Sequence, residues 1–161
     1  MKSVVTGGVL VLLGLAAALP VAMAATVVCP DVAKAVQVGT CPSDEELKYT
    51  FTGYCSDDAK AYKGETDVCT DFQLYRQLKN VALWESADGV FDAYVSCELP
   101  KDTLKLSKLT SARVTQQGKL TLLTCRYGQG VNFVYRTRAQ CTLDRGATGA
   151  TQTPSGQATC E

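Results

Sequence analysis

Residues 119–143, KLTLLTCRYGQGVNFVYRTRAQCTL, contain the pattern that decides the fold of this chain. Two segments in which apolar and polar residues alternate flank the tripeptide GQG, and a three-residue loop of this composition is typical of a β-hairpin. Pairing Tyr127 with Val131 places Cys125 opposite Phe133 and brings alternate residues of both segments onto one face. The stretch therefore predicts an antiparallel hairpin with one buried face.

Further strands are predicted upstream of this hairpin. Residues 109–115 form a strand that the Gln117-Gly118 turn connects to the hairpin. Asp88-Gly89 predicts a two-residue turn between strands at 81–85 and 90–99, because glycine and aspartate tolerate positive φ. The alternation after this turn is typical of a half-buried antiparallel strand.

The first part of the chain has weaker patterns. Residues 46–55 alternate well enough to predict one strand. Asp71 is a candidate cap for a helix that continues to Asn80. Taken together, the patterns predict a mainly β, β-rich α+β fold: a small antiparallel sandwich or open barrel of five to seven strands, with one short helix after Cys69.

Residues 1–24 have the layout of a cleavable export signal, with a charged start, a short apolar core and a small-x-small end. The apolar core is shorter than the roughly 20 residues that a membrane-spanning helix needs, so an uncleaved anchor is the weaker alternative. We predict a single disulfide-rich β domain over 25–144 and a Gly/Thr-rich tail over 145–161 that Cys160 tethers to the domain. The mature protein is expected to be periplasmic or extracellular, without a membrane span after cleavage.

All eight cysteines lie after the export signal. Their even number, wide spacing and exported context predict four disulfides, with three bridges and a free pair as the alternative. Eight cysteines allow 105 pairings, so the connectivity stays open. There is no C-x-x-C motif, and we predict no metal site and no cofactor. The cysteines are Cys29, Cys41, Cys55, Cys69, Cys97, Cys125, Cys141 and Cys160.

The chain contains no histidine. Ser-His-Asp and Cys-His hydrolases and H-E-x-x-H metalloproteases are therefore excluded, since each requires an imidazole. Paired carboxylates or a Ser-Lys dyad could still act without histidine. The sequence has neither S-x-x-K nor G-x-S-x-G, so we predict that the protein is not an enzyme and rank a carboxylate-based hydrolase last.

Charge is distributed unevenly along the chain. Residues 25–102 carry 14 acidic and 7 basic side chains, whereas residues 103–161 carry 2 acidic and 8 basic ones. Either the two halves of one domain attract each other, or one face of the molecule is basic. A nucleic-acid partner is not predicted, because the chain is not basic overall and is exported.

Two groups of residues are candidates for binding. Arg126, Arg136 and Arg138 lie on the outward side of the predicted hairpin, where guanidinium groups could receive phosphate, carboxylate or an acidic protein surface. The alternatives are a solvated sheet face, or arginines paired with the acidic first half. Trp84 and Tyr94 are the second candidate, since an exposed pair of this kind suggests a protein or sugar contact, while a core tryptophan is the alternative.

These observations predict an exported, non-catalytic binding or accessory protein of the bacterial cell envelope. Its partner would be another envelope or secreted protein, or an anionic envelope component. One alternative is an inhibitor or immunity protein that inserts a loop, such as 128–130 or 55–69, into a secreted hydrolase. Another alternative is a structural subunit of a surface assembly.

Overall fold

The computed structural model describes residues 24–56, 67–144 and 156–161. The predicted export signal and most of the Gly/Thr-rich tail lie outside these ranges. The strands are β1 (Ala25–Val28), β2 (Val36–Gln37), β3 (Val81–Glu85), β4 (Asp92–Ser96), β5 (Leu109–Gln117), β6 (Leu120–Tyr127), β7 (Asn132–Thr137), β8 (Cys141–Leu143) and β9 (Gln157–Cys160). The helices are α1 (Asp44–Cys55), α2 (Asp67–Thr70), α3 (Phe72–Lys79) and α4 (Lys101–Lys105), with 3-10 turns at Val32–Lys34 and Gly128–Gly130.

The strands form two antiparallel sheets, which confirms the mainly β fold class. One sheet has six strands in the order β2-β3-β4-β7-β6-β5, and the other has three in the order β1-β9-β8. Both sheets contribute to one hydrophobic core, in which Phe133 of the larger sheet and Ala158 of the smaller one are fully buried. We refer to the two sheets with α4 and the turn at Val32–Lys34 as the β body.

The hairpin predicted from residues 119–143 is present with the predicted register. Cys125 pairs with Phe133 and Leu123 with Tyr135, and the intervening loop is Gly128–Gly130. Leu123, Cys125 and Phe133 are completely buried, as the alternation of apolar residues predicted. The hairpin is the centre of the core because its inward side chains contact residues of both sheets.

The hairpin of β3 and β4 is also present, but its predicted two-residue turn is wrong. The connection is longer, since the Ser86 N–H donates to the Phe91 carbonyl and closes a four-residue loop. The Ser86 hydroxyl donates to Asp88 and accepts the Phe91 N–H at 2.9 Å, and Asp88 also accepts the Val90 N–H. These hydrogen bonds lower the pKa of Asp88, and they stabilise a loop that the Asp-Gly pair alone does not predict.

The strand predicted over 46–55 is wrong, because this segment is helix α1. A capping box starts the helix: the Ser43 hydroxyl accepts the Glu46 N–H at 3.1 Å, and the Glu46 carboxylate accepts the Ser43 N–H at 2.7 Å. The apolar residues Leu47, Phe51 and Tyr54 also have helical spacing. The S-x-x-E signal at 43–46 therefore outweighs the alternation.

Helix α3 confirms the predicted helix after Asp71, whose side chain accepts the Gln73 N–H. It is not the single helix that was predicted, since the described residues include four helices. Helices α1, α2 and α3 form a helical lobe, which we define as residues 43–56 and 67–80. Aromatic rings join α1 to α3, with ring centroids 5.2 Å apart between Phe51 and Tyr75.

The four predicted disulfides are all formed, and each has a different location. Cys29–Cys125 lies in the core of the β body, and Cys41–Cys97 connects the segment before α1 to the end of β4. Cys55–Cys69 closes the helical lobe, and Cys141–Cys160 joins β8 to β9. The bonded pairs are Cys29–Cys125, Cys41–Cys97, Cys55–Cys69 and Cys141–Cys160.

Candidate functional site: the outer face of the six-stranded sheet

One face of the six-stranded sheet is directed away from the core. None of its side chains is buried, so no part of the chain that the structure describes covers it. We call it the outer face and define it by the residues of β3 to β7 that lie on this side of the sheet in three neighbouring rows. These are Leu83, Glu85, Asp92, Tyr94, Ser111, Arg113, Thr115, Leu122, Thr124, Arg126, Asn132, Val134 and Arg136.

Strand pairing arranges these side chains in rows across the sheet. In one row, Glu85 pairs with Asp92, Asp92 with Val134, Val134 with Thr124, and Thr124 with Arg113. The row therefore has two carboxylates at one end and a guanidinium at the other. A cross-strand neighbour lies about 5 Å away, so this charge separation extends over about 19 Å.

The next row combines an aromatic ring with a second guanidinium. Leu83 pairs with Tyr94 on one side of the sheet, and Asn132 pairs with Arg126 on the other. Extending the single Asp92–Val134 bridge by two residues along both antiparallel strands places Tyr94 in the row of Asn132. Tyr94 is 69% exposed, which is unusual for a large ring on an open sheet.

The three arginines predicted as one group do not converge. Arg126 and Arg136 lie two rows apart, which is four residues of strand or about 13 Å. Arg136 forms an ion pair with Asp92, whereas no carboxylate lies within 4.0 Å of Arg126 or Arg138 among the described residues. Arg138 is exposed and follows the last residue of β7. Of these three arginines, only Arg136 is thus paired with the acidic half within the described residues.

Arg113 is a basic residue of this face that sequence reasoning missed. It lies on β5 beside Thr124, in the row between those of Arg126 and Arg136. Like Arg126, it has no ion-pair partner within the part of the chain that the structure describes. The signal was present, because the turn at Gly118 sets the register between β5 and β6 and would have placed Arg113 on this face.

Trp84 and Tyr94 do not form an exposed pair. Trp84 is only 5% exposed and lies opposite Ala93 on the inner face, whereas Tyr94 lies on the outer face. Adjacent positions of a strand point to opposite sides, so pairing Trp84 with Ala93 separates it from Tyr94. Trp84 lines a cleft of about 200 Å³ whose rim includes Lys101, and this volume is below the range of usual ligand pockets.

The described residues also contain two open grooves of about 540 and 580 Å³ along α1, which share Tyr49 in their lining. Within residues 24–56, 67–144 and 156–161, no three histidine, cysteine, aspartate or glutamate side chains are grouped as metal ligands. No helix in these ranges combines the length and the apolar character needed to cross a membrane. Comparison of the chain with protein-family models, curated proteins and solved structures gives no match.

Proposed function

We propose that this chain is an exported, non-catalytic binding protein of the bacterial cell envelope and that the outer face is its partner-binding surface. The observation that supports the proposal is an uncovered sheet face on which Arg113 and Arg126 have no carboxylate partner among the described residues and Tyr94 is exposed. Unpaired guanidiniums on an ordered sheet are ready to form charge-assisted hydrogen bonds with a partner.

The composition of the outer face favours a protein as the partner. All of its positively charged residues are arginines. Arginine and tyrosine are enriched among the interface residues that contribute most of the binding energy. Lysine, which is depleted in such interfaces, does not occur among the described outer-face residues. Leu83, Leu122 and Val134 add half-buried apolar area between the charges. The partner would present carboxylates opposite the arginines and an apolar group opposite Tyr94.

The export signal and the four disulfides support an extracytoplasmic location for this function. Disulfides form and persist in oxidising compartments such as the periplasm. The Cys29–Cys125 bridge anchors the strand that carries Arg126, so an oxidising compartment also maintains the geometry of the outer face.

Capture from native envelope extracts tests the proposal. Oxidised protein of residues 25–161 serves as bait, together with the variant Arg113→Glu/Arg126→Glu. The matched control is Lys105→Glu/Lys108→Glu, which makes the same change in charge at exposed positions outside the outer face. We expect wild type and control to retain one stoichiometric protein and the arginine variant to lose at least about 90% of it. Equal retention by all three baits would contradict the proposal.

The variant Tyr94→Ala distinguishes a protein partner from an anionic envelope component. A protein contact should lose affinity by about tenfold or more when the exposed ring is removed, because aromatic rings dominate such contacts. A polyanion would depend on the arginines and leave binding to Tyr94→Ala almost unchanged. The second result would replace the protein partner by the anionic component.

A further inference from the structure

Two rows of the outer face are complementary to themselves, and we propose that a second copy of this chain covers the face through a two-fold axis parallel to β7. Arg136 lies on this axis and faces its own copy, with its charge balanced by the ion pair to Asp92. This inference rests on the proposed function, because it says what covers the outer face before the partner binds. A dimer of this kind would have to open for binding, so the partner and the second copy would compete for Arg113 and Arg126.

The position of β7 in the sheet makes the symmetry possible. Along β3-β4-β7-β6-β5, β7 is central and has two strands on either side. Rotation by 180° about an axis parallel to β7 keeps every row at its position along the strands and exchanges the two sides. Strand β3 of one copy then faces β5 of the other, and β4 faces β6. Aligned packing of two sheets is a common arrangement, with a spacing of about 10 Å.

The same rotation brings opposite charges together. Glu85 and Arg113 lie at the two ends of one row, so Glu85 of each copy faces Arg113 of the other. Neither side chain has an ion-pair partner within the described residues. The interface would therefore contain two equivalent Glu85–Arg113 pairs, as an isologous contact requires.

A second contact follows from the neighbouring row. Tyr94 on β4 and Arg126 on β6 occupy that row on opposite sides of β7. In the dimer the exposed ring of each copy faces the guanidinium of the other, which is a favourable geometry for stacking and cation–π attraction. Tyr94 and Arg126, which are both exposed, are thereby brought into contact by the same symmetry operation.

The size of the face sets the strength of the dimer. Five strands, each about 4.8 Å wide, and three rows, each about 6.7 Å deep, give roughly 24 Å by 20 Å, or about 480 Å² per copy. A standard interface buries about 800 Å² per partner, so a weak dimer that forms at roughly 100 µM chain is expected. Such a dimer could be displaced by a partner with a larger contact.

Charge-swapped variants test the two-fold geometry by sedimentation equilibrium of oxidised protein at up to about 500 µM chain. Glu85→Arg and Arg113→Glu should each weaken the homodimer at least about tenfold, since each places two like-charged pairs in contact. An equimolar mixture of the two variants should dimerise to within about threefold of wild type, because both pairs are then attractive. The control Lys108→Glu should leave the dimer unchanged.

The mixture also controls for folding, because only two folded variants can restore the contact. Two further perturbations leave Glu85 intact, namely the substitution Tyr94→Ala and an increase from 50 to 500 mM NaCl. The substitution should give a weaker dimer than wild type, and the added salt should weaken the wild-type dimer. A wild-type monomer at about 500 µM, or a dimer that Arg113→Glu does not weaken, would overturn the inference. A mixture of folded variants that stays monomeric would overturn it as well.

These outcomes separate the dimer from the proposed function. A monomeric wild type that still captures an envelope protein through Arg113 and Arg126 would refute the dimer and leave the binding function in place. A dimer that responds to the charge swaps, with no envelope partner captured, would support the dimer and refute the binding function.

Discussion

The β body and the helical lobe are stabilised in different ways. In the β body, strands from both sheets enclose a continuous core that includes Phe91, Leu123 and Phe133, all with 2% exposure or less. In the lobe, Leu47 and Tyr75 are the buried apolar residues among those the structure describes, and neither belongs to that core. The lobe therefore contributes little hydrophobic stabilisation of its own.

Covalent and polar links compensate for the small core of the lobe. The Cys41–Cys97 disulfide fastens the segment before α1 to the end of β4. Arg76 of α3 pairs with Glu98 beyond β4 and, at 3.2 Å, with Asp44 of α1. Because the large core lies in the β body, we expect the lobe to open at a lower free-energy cost than the β body and without unfolding it.

Removal of single disulfides should show the largest difference in stability between the β body and the helical lobe. Cys29→Ala/Cys125→Ala opens a link across 96 residues in the core of the β body, and such a loss costs about 4–5 kcal/mol. Cys55→Ala/Cys69→Ala opens a link across 14 residues within the lobe, where about 3 kcal/mol is expected from chain entropy. Fluorescence of Trp84, the single tryptophan, reports on the β body during urea unfolding.

The first variant should lower the urea midpoint of Trp84 fluorescence substantially. The second should leave that midpoint nearly unchanged while the helical circular-dichroism signal is lost at lower urea. Equal shifts of the Trp84 midpoint in both variants would show that lobe and β body unfold as one unit.

Two glycine substitutions should change the stability of the two regions in opposite directions. Gly156 has a φ of +57°, and a Cβ there would lie 2.6 Å from Leu109 Cδ2 and 3.2 Å from Cys29 Cβ. Gly156→Ala should therefore destabilise the β body by about 1–3 kcal/mol. Gly53 lies in α1 with open space around it, and Gly53→Ala should stabilise the lobe by up to about 1 kcal/mol.

Thermal unfolding of both variants, followed by Trp84 fluorescence and by helical circular dichroism, measures these effects. A Gly156→Ala protein with an unchanged Trp84 transition would mean that the segment before β9 is not integral to the β body. A destabilising Gly53→Ala would contradict the open environment of α1.

The smallest expected effect is a pH dependence confined to the lobe. Hydrogen bonds from the Ser43 N–H and hydroxyl lower the pKa of Glu46 below its ordinary value of 4.5. A carboxyl whose pKa is lowered on folding contributes stability above its unfolded pKa and loses it as the pH falls through the folded value. Helicity of α1 should therefore decrease below pH 4.5, and Ser43→Ala should weaken α1 at neutral pH and reduce this pH dependence.

Helical circular dichroism from pH 7 to pH 2.5, with wild type and Ser43→Ala compared, measures the effect. An identical acid transition in both proteins would show that Glu46 does not act through the capping box.

Local patterns explain which parts of the fold were predictable. The hairpin of β6 and β7 was predictable because a three-residue loop fixes the register, and alternation then fixes the buried face. Helix α1 was not recognised because residues 46–55 fit both a strand period and a helix period, and only the capping box at Ser43 distinguishes them. The central position of β9 was not predictable, because its pairing with β1 joins the two ends of the described chain.

The candidate site depends on both local and non-local information. The outward direction of Arg126 and Arg136 follows from strand periodicity. The ion pair of Arg136 with Asp92 requires the pairing of β4 with β7, two strands that a long segment of chain separates. The burial of Trp84 could be predicted only by knowing which face of β3 points to the core. The periodicity of residues 81–85 alone does not show which face that is.

Photo-crosslinking tests directly whether the outer face or the helical lobe contacts a partner. Tyr94 on the outer face and Tyr49 on the helical lobe are both exposed tyrosines, at 69% and 82%, and each is replaced in turn by a photoreactive phenylalanine derivative. The variants are expressed in the native host, and adducts formed on irradiation are identified by mass spectrometry. We expect adducts with an envelope protein or a second copy from position 94 and none from position 49. Adducts from position 49 with none from position 94 would show that the outer face is not the binding surface.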